Sequence, residues 1–318
     1  MANPEHLALL EQGVAGWNQW WTTQATSSPR LEGVSMGTIN LRDANLSKAN
    51  LSGINLEAAD LCLVNFETAN LHRAQLMQAS LYTANLYQAK LREANLSKAD
   101  LREVNLRYAD LCMANLTEAN LSQADLEGAT LYTATLCKAN LREANLYKAD
   151  LREVDLSVAK LREANLSRAN LSMANLCMAD LIGATLHEAT LTMANLSMAN
   201  FCMANLMGTT LYKALLIGVN CIGTNLYKAN LSQANLAKAD LREATLSQAN
   251  LNLADLSYAN LCMTNLRGAT LKGANLTGAN LNCATLDGAN LTGANLNQAT
   301  LEGACLRGAI MPDGFSAS

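Results

Sequence analysis

A large apolar residue occupies every fifth position of this chain, from Leu41 to Leu306. The series has 54 members without an insertion or deletion, and 51 of them are Leu. Two positions before each member, Ala fills 45 of 54 places, so the repeating unit reads Ala-(Asn/Asp)-Leu-X-X. A step of five residues spreads side chains around an α-helix and alternates faces along an extended strand. The backbone must therefore turn once per unit to keep every Leu inside, which predicts a solenoid of stacked coils.

Two consecutive units illustrate the repeat, Ala94-Asn95-Leu96-Ser97-Lys98 and Ala99-Asp100-Leu101-Arg102-Glu103. Such units resemble those of the pentapeptide-repeat family, and the resemblance extends over roughly 85% of the chain. It implies an all-β solenoid, a right-handed quadrilateral parallel β-helix. In that fold four pentapeptides form one coil, and the central Leu and the Ala two positions before it point inward. The leader from Asn3 to Trp21 is also similar to that of cyanobacterial members.

An amphipathic pattern precedes the repeats. In residues 5–21 one apolar stripe follows helical spacing and is formed by Leu7, Leu10, Val14, Trp17 and Trp21. Because the first coil of a solenoid exposes unpaired backbone and a bare Leu layer, we expect this segment to be a short N-terminal α-helical cap. A membrane-surface helix is the alternative, and the polar face disfavours it because that face lacks Lys and Arg.

The predicted organisation has three parts. Residues 1–33 are the N-terminal cap and linker, residues 34–311 are the pentapeptide-repeat β-helix with Met36 as its first core residue, and residues 312–318 are a C-terminal turn and tail. Pro312 and Gly314 favour a turn that ends the array. We expect the last coil to present an apolar end. Because the C-terminal ends of gyrase-protecting relatives pair, the resemblance implies a homodimer through this end.

Two features inside the array differ from the rest. Around Thr209–Thr224 the inward Cys221 replaces Leu, which predicts a void and the softest coil of the array. From Gly268 onward Gly repeatedly occupies the second position after Leu, which is typical of corners that need a positive φ.

Composition limits the cellular setting. No run approaches 18 consecutive apolar residues, so we expect no membrane span and no membrane partner. Residues 1–21 have neither a basic start nor a continuous apolar stretch, which argues against a secretory signal. No two of the nine cysteines have the 20-residue spacing that would join neighbouring coils, although Cys262 and Cys283 come close to it. We therefore expect free thiols and a cytoplasmic protein.

Patterns that carry chemistry are sparse. His6, His72 and His187 are far apart in sequence, and neither a Cys-X-X-Cys motif nor a phosphate-binding Gly loop nor a Gly-X-Ser-X-Gly elbow occurs. We therefore expect no enzymatic activity, no catalytic residues, no metal site and no cofactor.

The charges are balanced rather than concentrated. The chain has 27 acids and 23 bases, and seven Arg residues are directly followed by an acid. Gyrase-protecting members of the family resemble duplex DNA through a dense acidic surface, which is not apparent here. The bases are equally diluted, so we expect no nucleic-acid partner. The sequence favours a non-catalytic structural scaffold or protein–protein interaction rod. The alternative is a DNA-mimicking protein that binds or protects a type II topoisomerase, gyrase.

One stretch of the array is poor in charge and rich in outward apolar residues. Between Ser172 and Ile222 only Asp180, Glu188 and Lys213 are formally charged. We predict a protein-contact patch here, for a partner that the sequence does not identify, formed by Met173, Cys177, Met178, Ile182, Met193, Met198, Cys202, Met203 and Ile222. Met-rich surfaces adapt to varied contacts. Free drift of outward positions is the alternative interpretation.

Overall fold

The computed structural model describes residues 2–23 and 28–314. Two helices, α1 (Pro4–Glu11) and α2 (Val14–Thr23), precede an array of coils. In the array, single residues rather than continuous strands pair in parallel across the described coils, always with a residue 20 positions away, as Asn45 pairs with Asn65. Twenty residues contain four pentapeptides, so each coil has four sides and four corners.

Backbone hydrogen bonds explain why the period tolerates no insertion. The amide of Leu46 donates to the carbonyl of Asn65 in the next coil at 2.8 Å, and the amide of Asn65 donates back to the carbonyl of Ala44 at 2.9 Å. Within the unit, the amide of Ala49 closes a four-residue turn on the carbonyl of Leu46 at 3.2 Å. Because this scheme recurs at each unit, one extra residue would move a Leu out of the core and break the pairing on both sides.

Every corner contains one residue in the left-handed region of backbone space. From Gly33 to Gly308 the second residue after each core position has a φ between +53° and +69°. This is the conformation that the third residue of a type II turn requires. The glycines after Gly268 meet this need, as predicted, but the positive φ is a property of all corners. Val158 adopts it at +59°, where a β-branched side chain is strained.

The inward Leu and Ala side chains form the core. Almost all of them are fully buried along the array, with exposures of 0 or 1%. The array begins earlier than the sequence predicts, because Leu31 is already buried and Arg30 pairs with Asn50. Met36 is therefore the second core residue rather than the first. Pro29 does not prevent this, since its carbonyl rather than its missing N–H makes the pairing bond, accepting from the amide of Asn50 at 2.7 Å.

The N-terminal segment consists of two helices instead of the single helix predicted for residues 5–21. The helices are separated at Gly13, whose φ of +116° is readily available only to glycine. The side chain of Asn3 caps α1 by accepting a hydrogen bond from the amide of Glu5 at 2.9 Å. Among the predicted cap residues, Leu10, Trp17 and Trp21 are buried. Leu7 and Val14 are half-buried.

Both helices lie against the first coil. The indole Nε1 of Trp17 donates to the carbonyl of Asn45 at 2.7 Å, and the side-chain oxygen of Asn18 accepts from the amide of Asn45 at 2.8 Å. The ring Nδ1 of His6 accepts from the amide of Arg30 at 3.1 Å. In later coils the amides at these pairing positions bond to the preceding coil. The helices thus supply hydrogen-bond acceptors for the amides of Arg30 and Asn45, as a preceding coil would, and in this way they cap the first coil.

The chain forms two compact units, Met1–Lys160 and Leu161–Ser318. The first contains the helices and the coils from Arg30 onward. The second is built of coils that end with a turn at Asp313 and Gly314. The sequence does not predict this boundary, because the five-residue period continues through it without a change.

The predicted void at Cys221 has a neighbour that bears on it. Phe201 occupies the same position of the preceding coil, 20 residues earlier, and both side chains are buried. A larger side chain than Leu therefore lies next to a smaller one. The two Thr residues of this region bury their hydroxyls but satisfy them, since Thr209 donates to the carbonyl of Leu206 at 2.8 Å and Thr224 to that of Phe201 at 2.7 Å.

Candidate protein-contact surface

The pairing of coils places the predicted patch on two adjacent sides of the second unit. Asn175, Asn195 and Leu215 pair in succession and define the centre of one side. Met173 and Met193 occupy one corner of this side, and Met178 and Met198 occupy the other corner, where Cys177 precedes Met178 in the same turn. The far corner of the next side contains Ile182, Cys202 and Ile222, and Met203 follows Cys202 in the same turn.

The five predicted Met side chains are the most exposed part of this patch. Each is at a corner with a φ between +57° and +62°, and each is between 54% and 67% exposed. Within the predicted patch the residues at the first position after Leu share the corner turns with these Met residues or with glycine but are half-buried, and they are Cys177, Ile182, Cys202 and Ile222. The corner Met residues therefore determine the apolar character of the surface.

The structure adds apolar residues that the sequence interpretation does not include in the patch. Leu215 and Ile217 are exposed on the same side as Met193, one coil later. Leu253 and Tyr258 occupy the same two corners two coils after that and are 61% and 60% exposed. Counting positions in steps of twenty would have found them. We call this side the Met face, and its exposed apolar residues are Met173, Met178, Met193, Met198, Leu215, Ile217, Leu253 and Tyr258.

Glycines allow several of these side chains to lie flat on the next coil. A Cβ atom at Gly218 would lie 2.8 Å from the Sδ of Met198, and one at Gly278 would lie 2.7 Å from the ring of Tyr258. Such distances are shorter than any normal carbon contact, so only Gly permits these positions. The rim of the Met face is therefore made of side chains that cover neighbouring corners.

Charge is scarce on the Met face. Over the five coils from Met173 to Tyr258, the charged residues of this face are Lys213, Lys238 and Asp255. The Asp255 carboxylate is engaged, since it accepts from the side-chain nitrogen of Asn275 at 2.9 Å. Burying this face therefore requires the desolvation of few charges.

Several charges elsewhere are paired. Arg102 donates to the carboxylate of Asp100 at 2.6 and 2.8 Å and thereby lowers the pKa of that carboxyl. Glu103, the acid next to Arg102 in sequence, instead accepts from the hydroxyl of Tyr82 at 3.2 Å. Arg152 and Arg242 pair in the same way with Asp150 and Asp240. These three carboxylates are thus neutralised locally, although each exposed pair adds little stability.

Groups that could support catalysis are not gathered together. Within residues 2–23 and 28–314, no cluster of His, Cys, Asp and Glu has the geometry to hold a metal ion. Burial raises the pKa of the Cys221 thiol to about 12, so this thiol is not a nucleophile at neutral pH. No helix of the described chain is long and apolar enough to cross a membrane.

The C-terminal end of the second unit is also apolar. The last core positions are half-exposed, at Leu296, Leu301, Leu306 and Met311, whereas their counterparts in inner coils are fully buried. Ile310 is 55% exposed. A shallow pocket at this end is lined by residues that include Leu296, Pro312 and Gly314.

The chain matches the family model described as Pentapeptide repeats in a series of segments between residues 39 and 308. It is similar to the structure of HetL, a pentapeptide repeat protein involved in heterocyst differentiation regulation from the cyanobacterium Nostoc sp. strain PCC 7120. Identity is 31%, coverage is 94% of this chain and 98% of that chain, and the TM-score is 0.28. A second similar structure is Rfr23, a pentapeptide repeat protein from the cyanobacterium Cyanothece 51142, with 40% identity over 30% of this chain and 63% of that chain and a TM-score of 0.24. QnrB1, a plasmid-mediated fluoroquinolone resistance protein, is 18% identical over 64% of this chain and 90% of that chain, with a TM-score of 0.28. No curated protein matches the chain.

Proposed function

This chain belongs to the pentapeptide-repeat family, and from that premise we propose that it is an interaction scaffold that binds a protein through the apolar surface of its second unit. Members of this family are in general non-enzymatic structural or interaction proteins, and no catalytic family is indicated. The proposal includes the right-handed quadrilateral β-helix that family membership implies. It also includes a cyanobacterial source and a cytoplasmic location, supported by the N-terminal leader and by nine unpaired cysteines.

One observation carries the proposal. Exposed Met side chains are concentrated at neighbouring corners of consecutive coils, at Met173, Met178, Met193 and Met198, on a side that is poor in charge. Contiguous exposed apolar surface of this kind is uncommon on proteins that act alone. The flexible thioether side chain suits a surface that must adapt to a partner.

The test compares capture of a partner by three forms of the full chain in extract from the native host. The first is the wild type. The second is M178K/M198K, which adds two charges at the centre of the patch. The matched control is M113K/M263K, which makes the same change at two corners with similar φ and exposures of 51% and 60%, outside the patch.

We expect the wild type and M113K/M263K to capture the same protein and M178K/M198K to lose it. All three forms should melt alike, because exposed corner residues contribute little to stability. Equal capture by all three forms would contradict the proposal.

A DNA-mimicking role is less well supported. Such a role needs a contiguous acidic surface, whereas Arg side chains neutralise the acids at Asp100, Asp150 and Asp240. A supercoiling assay checks this alternative, and we expect no inhibition or protection of gyrase by the wild type at micromolar concentration.

We also propose that a second copy binds at the C-terminal end. This proposal is supported by the half-exposed Leu301, Leu306 and Met311 of the last coil. Leu306→Glu places a charge in this layer and separates its contribution from that of the Met face.

A further inference from the structure

The Met face contains most of the exposed large apolar side chains of the second unit. In the described part of that unit there are eleven such residues, and eight of them belong to this side or its corners. The other three are Met203, Met263 and Ile310. The concentration on one of four sides is therefore a property of the folded array, because the eight residues are spread over 86 positions of the sequence, from Met173 to Tyr258.

The size of this surface agrees with the need of a stable dimer. With roughly 100 Å² exposed on each, eight such side chains present on the order of 800 Å², which is about what one partner of a standard interface buries. A coil side is also flat, and its spacing repeats from coil to coil. A second coil stack with the same spacing is a surface that can match it over several coils.

We propose that the occupant of the Met face is the Met face of a second copy of this chain, packed antiparallel. The proposal rests on the proposed function and names the partner of that surface. The two-fold axis crosses the face between the coil of Leu215 and the coil of Asn235. Successive coils of one chain then face the coils of the second copy in reverse order.

The residue pairs that this axis creates are complementary at the corners. Met193 faces Leu253 of the second copy, and Met198 faces Tyr258 of the second copy. At three further corners a large residue lies opposite a glycine of the second copy. These pairs are Met173 with Gly273, Met178 with Gly278, and Lys238 with Gly218. Leu253, Tyr258 and Met198 cover the glycine corners of their own chain at Gly273, Gly278 and Gly218, so the side chains of the second copy meet these covering side chains.

At the centre of the face Leu215 faces Asn235 of the second copy, and Asp255 faces Asn195 of the second copy, an amide that can donate to a carboxylate. In the corner turn Ile217 faces Ala237 of the second copy. Lys213 faces Gln233. No two like charges are opposed in this register, whereas an axis through the coil of Leu215 would bring two Lys213 side chains together, and a parallel arrangement would bring two Asp255 side chains together.

The arrangement is tested first by mutation and sedimentation equilibrium of the full chain. M193K/M198K adds two charges that would be buried against Leu253 and Tyr258 of the second copy. M203K/M263K is the matched control, because it makes the same change at corners of similar φ and exposure that lie off the face. We expect wild type and control to dimerise alike within about threefold in Kd, and M193K/M198K to weaken at least about 100-fold.

The direction of packing is tested by cross-linking with a short bismaleimide. In the antiparallel register Ser197 lies opposite Ser257 of the second copy. We expect a mixture of S197C chains and S257C chains to give a covalent dimer that neither chain gives alone, above the background of the wild-type cysteines. A parallel dimer would instead link each variant to itself.

Several results would overturn the inference. They are a wild type that stays monomeric at about 100 µM, equal dimerisation of M193K/M198K and its control, self-linking of S197C alone, and a dimer lost only in Leu306→Glu. A monomeric wild type that still captures another protein through Met178 and Met198 would overturn the inference and leave the proposed function standing.

Discussion

The pair formed by Phe201 and Cys221 gives a quantitative test of how the core is packed. Both side chains are buried at the same position of consecutive coils. The coils cannot separate freely, since the amides of Phe201 and Cys221 each bond to the next coil at 2.7 Å. Relative to Leu, Phe is larger and Cys is smaller. We therefore infer that the ring of Phe201 fills the space that the small side chain of Cys221 leaves in the next coil. We predict that Phe201 thereby closes the void expected from Cys221 alone.

Three variants measure this compensation. Cys221→Leu should destabilise by about 1–3 kcal/mol, because added carbons overpack a filled core. Phe201→Leu should destabilise by about 1–3 kcal/mol by leaving a cavity beside Cys221. The double variant restores two Leu residues and should lie within about 1.5 kcal/mol of the wild type. The single effects should therefore couple by at least about 0.5 kcal/mol.

Urea unfolding of the four proteins, with thermal melting as a second probe, gives these differences. Phe66→Leu is the matched control, because Leu86 follows Phe66 in its column and no smaller residue there can be enlarged to compensate. An increase in stability for Cys221→Leu alone would refute the reasoning, since it would show an unfilled void. Additive single effects would refute it as well.

Three further predictions concern the corners and the cap. Val158→Gly should stabilise the chain by about 0.5–1.5 kcal/mol in urea unfolding, because it removes a β-branched residue from a φ of +59°, and Val158→Ala should give less than half of this gain; no gain would contradict the strain. Burial lowers the pKa of His6 from its usual 6.5, with the nearby charge of Glu5 opposing the shift, and the ring must be neutral to accept from the amide of Arg30. The folded cap therefore binds fewer protons than the unfolded segment. Its stability, measured by Trp fluorescence, should be full above pH 6.5 and fall as the pH drops below that value. The decline should disappear in His6→Gln, and an identical decline in that variant would exclude His6 as its cause. Deletion of residues 2–23 should expose the Leu31 layer and cause aggregation in light scattering, and a monomer of unchanged melting temperature would show that the helices are not a cap.

The sequence predicts the coil well because its information is local and repeated. Leu at every fifth position forces one turn per unit, and the inward Leu and Ala are buried as the pattern indicates. The helical stripe of the leader is also present. Its break is at Gly13, a single residue whose backbone conformation does not disturb the apolar spacing, so the stripe alone suggests one continuous helix.

The parts that were not predictable depend on which coils lie next to each other. Leu253 and Tyr258 join the corners of Met173 and Met178 only after the chain has been wound in steps of twenty. Charge scarcity along the sequence therefore located part of the Met face and missed its far end. In the same way, the position of Phe201 beside Cys221 follows only from the stacking of coils, since the two residues are 20 positions apart in the chain.

Oxidative footprinting of Met tests most directly whether the Met face is occupied. Hydrogen peroxide transfers one oxygen to a thioether, giving the sulfoxide and water, at a rate that depends on access to sulfur. Met198 and Met203 are 64% and 67% exposed in the isolated chain and share the corner conformation, so they should react alike when the protein is dilute. At concentrations where the chain associates, mass spectrometry should show Met193 and Met198 protected several-fold, with Met203 and Met263 unchanged. Equal oxidation of all four residues at every concentration and in the presence of host extract would contradict a contact at this face.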